Sequence, residues 1–283
     1  MASMRDIKRR KSSIQSTQQI TKAMKLTSTV KLQKAKARAE QSKPYFDIMY
    51  ETVHAMLAKS GNIDHPYLKA KTSGKTAVIV ITSNRGLAGG YNNNIVKLVT
   101  ALQVPKEEML LYTVGSKGRD TLARKGYEIQ ADYSDIVENP EYSDAGIISR
   151  ELLTAFKTGE IKEIYLAYTF FKNTVSHEPR LIQLLPVEPD TEVMEDNNVP
   201  MNYEPEEEEA LDLIIPKYIT SIVYGALMQA VASENGARMQ AMDSATSNAE
   251  EMIDSLSLLY NRARQGSITQ ELTEIIAGAE AIN

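Results

Sequence analysis

The chain has 283 residues, above the size at which one hydrophobic core usually suffices, and its 42% hydrophobic content is that of a folded protein rather than a disordered one. Zero cysteines exclude disulfides, thiolate metal sites and a cysteine nucleophile, and three scattered histidines (His54, His65, His177) offer little to a zinc ion. The net charge of −5 conceals a segregation: residues 1–43 hold 12 Lys or Arg against only Asp6 and Glu40, whereas residues 188–209 hold ten Asp or Glu and no Lys or Arg.

Residues 3–57 contain no glycine and one proline, Pro44, and are rich in helix formers, so they predict one very long helix kinked at Pro44. Ser3 is its expected N-cap, with Asp6 at the third helical position. A three-four spacing picks out Met4, Ile7, Lys11, Ile14, Gln18, Thr21, Lys25, Ser28, Leu32, Ala35 and Ala39, a stripe about half polar. Such a seam is poor for an isolated coiled coil and suits a thin helix pair clasped by a larger partner.

The period then changes. Residues 75–82 (KTAVIVIT) and 109–114 (MLLYTV) read as strands buried on both faces, and 163–171 and 180–185 as further strands. Between them, 91–102, 116–125 and 144–157 read as helices. Alternation of this kind predicts a small, mostly parallel α/β sheet covered by helices, a Rossmann-like domain over residues 75–186. Pro186, Pro189, Pro200, Pro205 and the acidic run then mark 187–205 as a linker.

From Glu206 to Ala281 the helical period returns with one proline, Pro216, giving 76 residues that would span about 110 Å if fully helical. Ala226, Ala230, Ser233, Ala237, Ala241, Ser244, Ala245 and Asn248 form a small-residue seam on which another helix could approach closely. Gly225, Gly236 and Gly266 interrupt it, each at a cost of about 1 kcal/mol relative to alanine in an exposed helix, so external contacts are expected to hold it. The domain expectation is therefore a coiled-coil helix over 1–58, the central domain, the linker, and a second coiled-coil helix over 206–283.

Catalytic chemistry is hard to find. The cluster RGLAGGYNNN lacks the ending of a Walker loop and the spacing of a dinucleotide fingerprint, and the Gly115-Ser116-Lys117-Gly118 turn lacks the four-residue loop between glycines. Both read as tight turns. The run Glu206 to Glu209 reads as solvated carboxylates at a helix start rather than a cation site. No Ser-His-Asp or paired-carboxylate arrangement emerges, so no cofactor and no metal are expected. A transit peptide or nucleic-acid arm fits the basic start badly: there is no apolar signal core, and no aromatic residue precedes Tyr45. The longest charge-free stretch, residues 218–233, is too short and too polar for a bilayer, so membrane association is expected to be indirect.

Three separate motifs then carry a resemblance that covers essentially the whole chain. ITKAM at residues 20–24 followed by STVKL at 28–32, the turn SNRGLAGGYN at 83–92, and YNRARQ with ITQELTEIIAGA at 260–279 resemble the gamma subunit of F-type ATP synthases. In the central turn, Asn84 replaces the family's acid and Ala88 its cysteine. The resemblance implies an antiparallel coiled coil of the chain termini, set as a non-catalytic rotor inside a ring of three alpha and three beta subunits. It also implies contacts with the epsilon subunit and the membrane c-ring, at the cytoplasmic face of the cell membrane. By the same resemblance Lys22, Met24 and Lys25 lie near an acidic lever of a beta subunit, Arg264 and Gln265 bond a beta-subunit loop, and Arg238 occupies another matching position. Taken without the family, Met24 reads as seam packing and Arg264 as a solvated charge. Gly266 stands where the family commonly carries alanine. The rival class is a basic coiled-coil scaffold or a nucleic-acid-binding protein, which salt-dependent DNA binding would reveal.

Overall fold

The computed structural model describes residues 4–59, 65–69, 71–187 and 207–280. Ser3, the expected N-cap, and nearly all of the acidic linker lie outside the described residues. The chain begins with helix α1, Met4–Lys59, which continues past Pro44. Strand β1 (Lys75–Ile81), helix α2 (Tyr91–Thr100), strand β2 (Met109–Val114), helix α3 (Ser116–Arg124) and strand β3 (Glu128–Asp132) follow. Helix α4 (Tyr142–Thr158), strands β4 (Ile161–Phe171) and β5 (His177–Leu185), and helix α5 (Glu207–Glu280) complete it.

The chain divides into two compact units, one of residues 1–28 with 239–283 and one of residues 29–238. The larger unit is built on a five-stranded sheet of order β3-β2-β1-β4-β5. All pairings are parallel except β4 with β5. Neighbouring residues of β1 serve opposite faces, as a pleated strand requires. Ala77, Ile79 and Ile81 join a core with Val53 and Met56 of α1, Ile148 and Phe156 of α4, and Leu211, Ile215, Ile219 and Val223 of α5. Val78 and Val80 join a second core with Ile95 and Val99 of α2 and Leu122 of α3. The near-continuous apolar run of β1 thus reflects burial on both sides. This is the expected Rossmann-like α/β layer.

Strand β3 was not among the expected elements. Its sequence EIQAD lacks a β-branched run and, at the sheet edge, only alternate residues are partly covered. Strand β5 begins three residues earlier than expected because Pro179, which argues against a strand, is tolerated where pairing runs on one side only.

In the smaller unit, α1 and α5 run antiparallel. The hydroxyls of Thr21 and Thr246 meet at 2.7 Å in the buried seam, and Lys25 Nζ reaches Asp243 Oδ1 at 2.5 Å. Less exposed positions on α1 are Met4, Ile7, Lys11, Ile14, Gln18, Thr21 and Ser28, with Met24 and Lys25 beside them, as the spacing predicts. On α5 the matching set is Met242, Thr246, Ala249, Ile253, Leu256, Tyr260 and Ala263. Steps of three and four along both helices are those of a heptad seam.

The expected small-residue seam is corrected here. Ala226, Ala230 and Ser233 are buried, but Ser244 and Asn248 are exposed and Met242, Thr246 and Ala249 take the covered positions. Up to Arg238 the helix lies in the larger unit, where small residues allow close approach; beyond it the partner is a single helix, which a heptad row of mixed sizes covers. Gly236 marks a close approach of α5 to β5, since a Cβ there would stand 2.4 Å from His177 Nε2.

Candidate partner-binding surface

The basic residues of α1 divide by their intramolecular partners. Lys22 is exposed, Met24 is half-buried, and the half-exposed Lys25 is paired with Asp243. These three lie within one turn and form one patch. Arg264 and Gln265 are both exposed on α5. The Thr21–Thr246 register places them some twenty residues further along the coil than Met24, about 30 Å at 1.5 Å per residue. The predicted contact set is therefore two patches on one helix pair rather than one site.

Apolar side chains on the outer faces were missed at the sequence level. Ile20, Leu26 and Val30 of α1 are 52–68% exposed, and Ile268, Leu272, Ile275 and Ile276 of α5 are 50–67% exposed. The latter four recur at steps of four, three and one and so line one face of the helix end. A contiguous exposed apolar stripe of this kind marks a protein-binding surface. Its signal was present as isoleucines and a leucine off the seam, legible only once the register of the pair is known.

Next to this stripe, Gly266 is helical and exposed, and a Cβ there would have no neighbour within 4 Å. Gly266→Ala is therefore expected to stabilise the helix by up to about 1 kcal/mol, mainly by restricting the unfolded chain. Circular dichroism against urea reads this directly; a lower midpoint in the variant would contradict it.

Arg238 sits apart, in the larger unit, and is buried. Its guanidinium donates to Glu234 Oε1 at 2.7 Å, the two side chains being 10% and 12% exposed, and reaches the carbonyl of Gly86 at 3.4 Å. Burial lifts the Glu234 carboxyl above its usual range against the opposing pull of Arg238. The chain itself pairs and buries this arginine, so in this structure it is not part of either exposed patch.

The glycine turns have internal explanations. The first amides of α3 are taken by protein acceptors: Ser116 N–H by Asn84 Oδ1 at 2.8 Å, Lys117 N–H by the Ser83 carbonyl at 3.0 Å, and Gly118 N–H by Thr82 Oγ1 at 2.9 Å. Asn84 also donates through Nδ2 to the Ser134 carbonyl at 2.8 Å, a bond that an aspartate there could not make. Among the described residues no group of three or more His, Cys, Asp or Glu could hold a metal ion.

A half-polar helical coil with apolar outer faces, continuous in sequence with a Rossmann-like body, defines a partner-dependent structural subunit. Residues 3–282 match the family described as ATP synthase. Over the full length of both chains the protein is 68% identical to the ATP synthase gamma chain of Lachnoclostridium phytofermentans. It is 43% identical to the sodium ion specific ATP synthase gamma chain of Acetobacterium woodii, over 99% of each chain. Among solved structures, the central stalk/c-ring of the Tetrahymena thermophila mitochondrial ATP synthase aligns at TM-score 0.60 and 28% identity, covering 80% of this chain and 99% of that one. A chain of the Euglena gracilis mitochondrial ATP synthase shares the fold at TM-score 0.71 and 19% identity, over 99% and 94% of the two chains. The chain belongs to the ATP synthase gamma chain family and is a central-stalk subunit rather than a catalytic one. The scaffold or nucleic-acid reading finds no support in these comparisons.

Proposed function

We propose that the chain is the rotor of an F1 sector, coupling transmembrane ion flow to ATP synthesis or hydrolysis on a ring of three alpha and three beta subunits. The observation that carries this reading is the uncovered apolar stripe Ile268, Leu272, Ile275 and Ile276 on a helix pair whose seam is half polar. Such a pair needs an enclosing partner. Its outer faces differ in charge and apolarity, so three identical beta subunits around it would each meet a different face. Different contact energies then bias each nucleotide site toward a different conformation, and turning the shaft moves the bias from one site to the next.

On this reading Lys22, Met24 and Lys25 form one contact with a beta subunit and Arg264 with Gln265 another. The α/β body, residues 75–186, lies outside the ring beside the epsilon subunit and the c-ring, at the cytoplasmic face of the membrane. Within the expected coiled-coil segments 1–58 and 206–283, the paired part is residues 4–28 with 239–280, and residues 29–59 and 207–238 belong to the larger unit. Membrane association runs through the complex: α5 holds an 18-residue window of mean hydropathy 1.3, long and apolar enough to span, but 56% of it is buried within the protein, as in a core helix.

Reconstitution of the chain with alpha and beta subunits tests the reading. The isolated chain is expected to show no ATP hydrolysis and no saturable ATP binding, and the assembled complex to turn a probe fixed to the α/β body in one direction under ATP. Hydrolysis without rotation of that probe would overturn the rotor assignment.

A further inference from the structure

Within the larger unit, the loop joining β1 to α2 is bonded directly to α5 and, through Glu138, to α1. Arg238 of α5 donates to the Gly86 carbonyl at 3.4 Å while paired with Glu234 at 2.7 Å. On the other side, Arg85 Nη2 lies 3.0 Å from Glu138 Oε1, and the second oxygen of that carboxylate accepts from Lys31 of α1 at 3.1 Å. Arg38, a further two turns along α1, donates to Asn139 Oδ1 at 2.5 Å. Lys31, Arg85 and Arg238 together hold the Glu138 carboxyl below its usual range. Six charged side chains thus tie α1, α5, the β1–α2 loop and the segment before α4 into one network.

Two further observations give the network a purpose beyond stability. Leu87, directly after Gly86, has φ of 63°, a left-handed backbone that is uncommon for a bulky residue and persists only where the surroundings over-determine it. And a buried ion pair contributes little net stability compared with apolar packing of the same volume, because its desolvation offsets its attraction. What such a pair supplies is direction: the fork of a guanidinium holds its acceptors at one angle. Neighbouring polar bonds act at the same level: Tyr91 Oη donates to the Ala230 carbonyl at 3.2 Å, Ser233 Oγ to the Thr169 carbonyl at 3.1 Å, and Phe171 N–H to Gln229 Oε1 at 3.0 Å.

We infer that the Glu234–Arg238 pair and the Lys31–Glu138–Arg85 bridge act as a rotational key, fixing the angular position of the two long helices on the α/β body through the β1–α2 loop. Arg238 is thereby a positioning residue. The inference rests on the rotor reading, in which torque passes between body and helices through residues 29–238.

The test uses the assembled complex with a probe on the α/β body and the ring immobilised. The spread of probe angles during a catalytic pause measures torsional stiffness, which a purely structural contribution to stability would not alter. Glu138→Gln, at a half-exposed side chain, is expected to leave hydrolysis within about twofold of the parent and to lower stiffness measurably. Glu234→Gln, which releases Arg238 from its partner, is expected to lower it about twofold or more. Unchanged angular spread in both variants, or a shift in unfolding midpoint with no change in spread, would overturn the key. If Glu234→Gln fails to assemble, Glu138→Gln decides alone by the same criterion. A parent complex whose body does not rotate would instead overturn the rotor reading, so the two failures are distinguishable.

Discussion

Gly115→Ala is expected to destabilise the chain by about 3–5 kcal/mol, the sum of a left-side backbone penalty and an overlap with the strand beneath it. Gly115 has φ of 112° and ψ of 124°, a conformation that only glycine adopts readily. A Cβ there would lie 2.3 Å from the carbonyl oxygen of Thr82 and 2.6 Å from its carbonyl carbon. Both are backbone atoms of the segment leaving the central strand, whose amide already bonds the Val114 carbonyl at 2.7 Å, so neither can move aside cheaply. Gly86 is the control. It belongs to the other glycine turn, has no positive φ, and a Cβ there would meet nothing within 4 Å. Gly86→Ala should shift stability by less than about 0.5 kcal/mol. Equilibrium urea unfolding of both variants settles the matter, and equal effects would mean that Thr82 does not set the requirement at Gly115.

The same contrast shows what the sequence could and could not disclose. Both glycine turns follow a strand and precede a helix, and their failure to match phosphate-loop spacing was legible in the letters alone. That one of them is sterically obligatory was not, because the atom that makes it so belongs to Thr82, 33 residues away. The α1 stripe from Met4 to Ser28 was legible because a helix packing on one neighbour declares itself by its period. In α5 the partner changes from a sheet to a helix near Arg238, and following small residues through that change led to Ser244 and Asn248, which face solvent. The edge strand β3 was invisible for a related reason: half-covered and unbranched, it carries no burial signal of its own. Arg238 was read by resemblance as a partner contact, yet Glu234 stands four residues before it, the spacing at which a helix brings opposite charges together. Whether that pair is buried depends on the β1–α2 loop lying over it, which no local pattern states.

Met24→Lys is expected to leave assembly and ATP hydrolysis largely intact while lowering the number of ions pumped per ATP. Met24 is half-buried at the edge of the seam, beside exposed Lys22 and the Asp243-paired Lys25. A lysine there can lay its stem along the seam and carry its ammonium out to solvent, so the helix pair should survive the change. The consequence falls on the proposed partner. If the face of α1 meets an acidic lever of a beta subunit, the new ammonium adds an ion pair in those rotary positions where the two approach. An attraction equal in every position would have no effect on turning, whereas one made in only some positions deepens those wells and raises the barriers between them. Shielded from water at the interface, such a pair could exceed the roughly 0–1 kcal/mol of an exposed bridge, and each 1.4 kcal/mol of added barrier slows a step about tenfold. Met24→Leu keeps the volume and adds no charge, so it should couple normally. Comparing ATP-driven pumping with hydrolysis in reconstituted membranes separates the two variants. Equal coupling in both would return Met24 to ordinary seam packing between Thr21 and Ser28 and remove it from the contact with the ring.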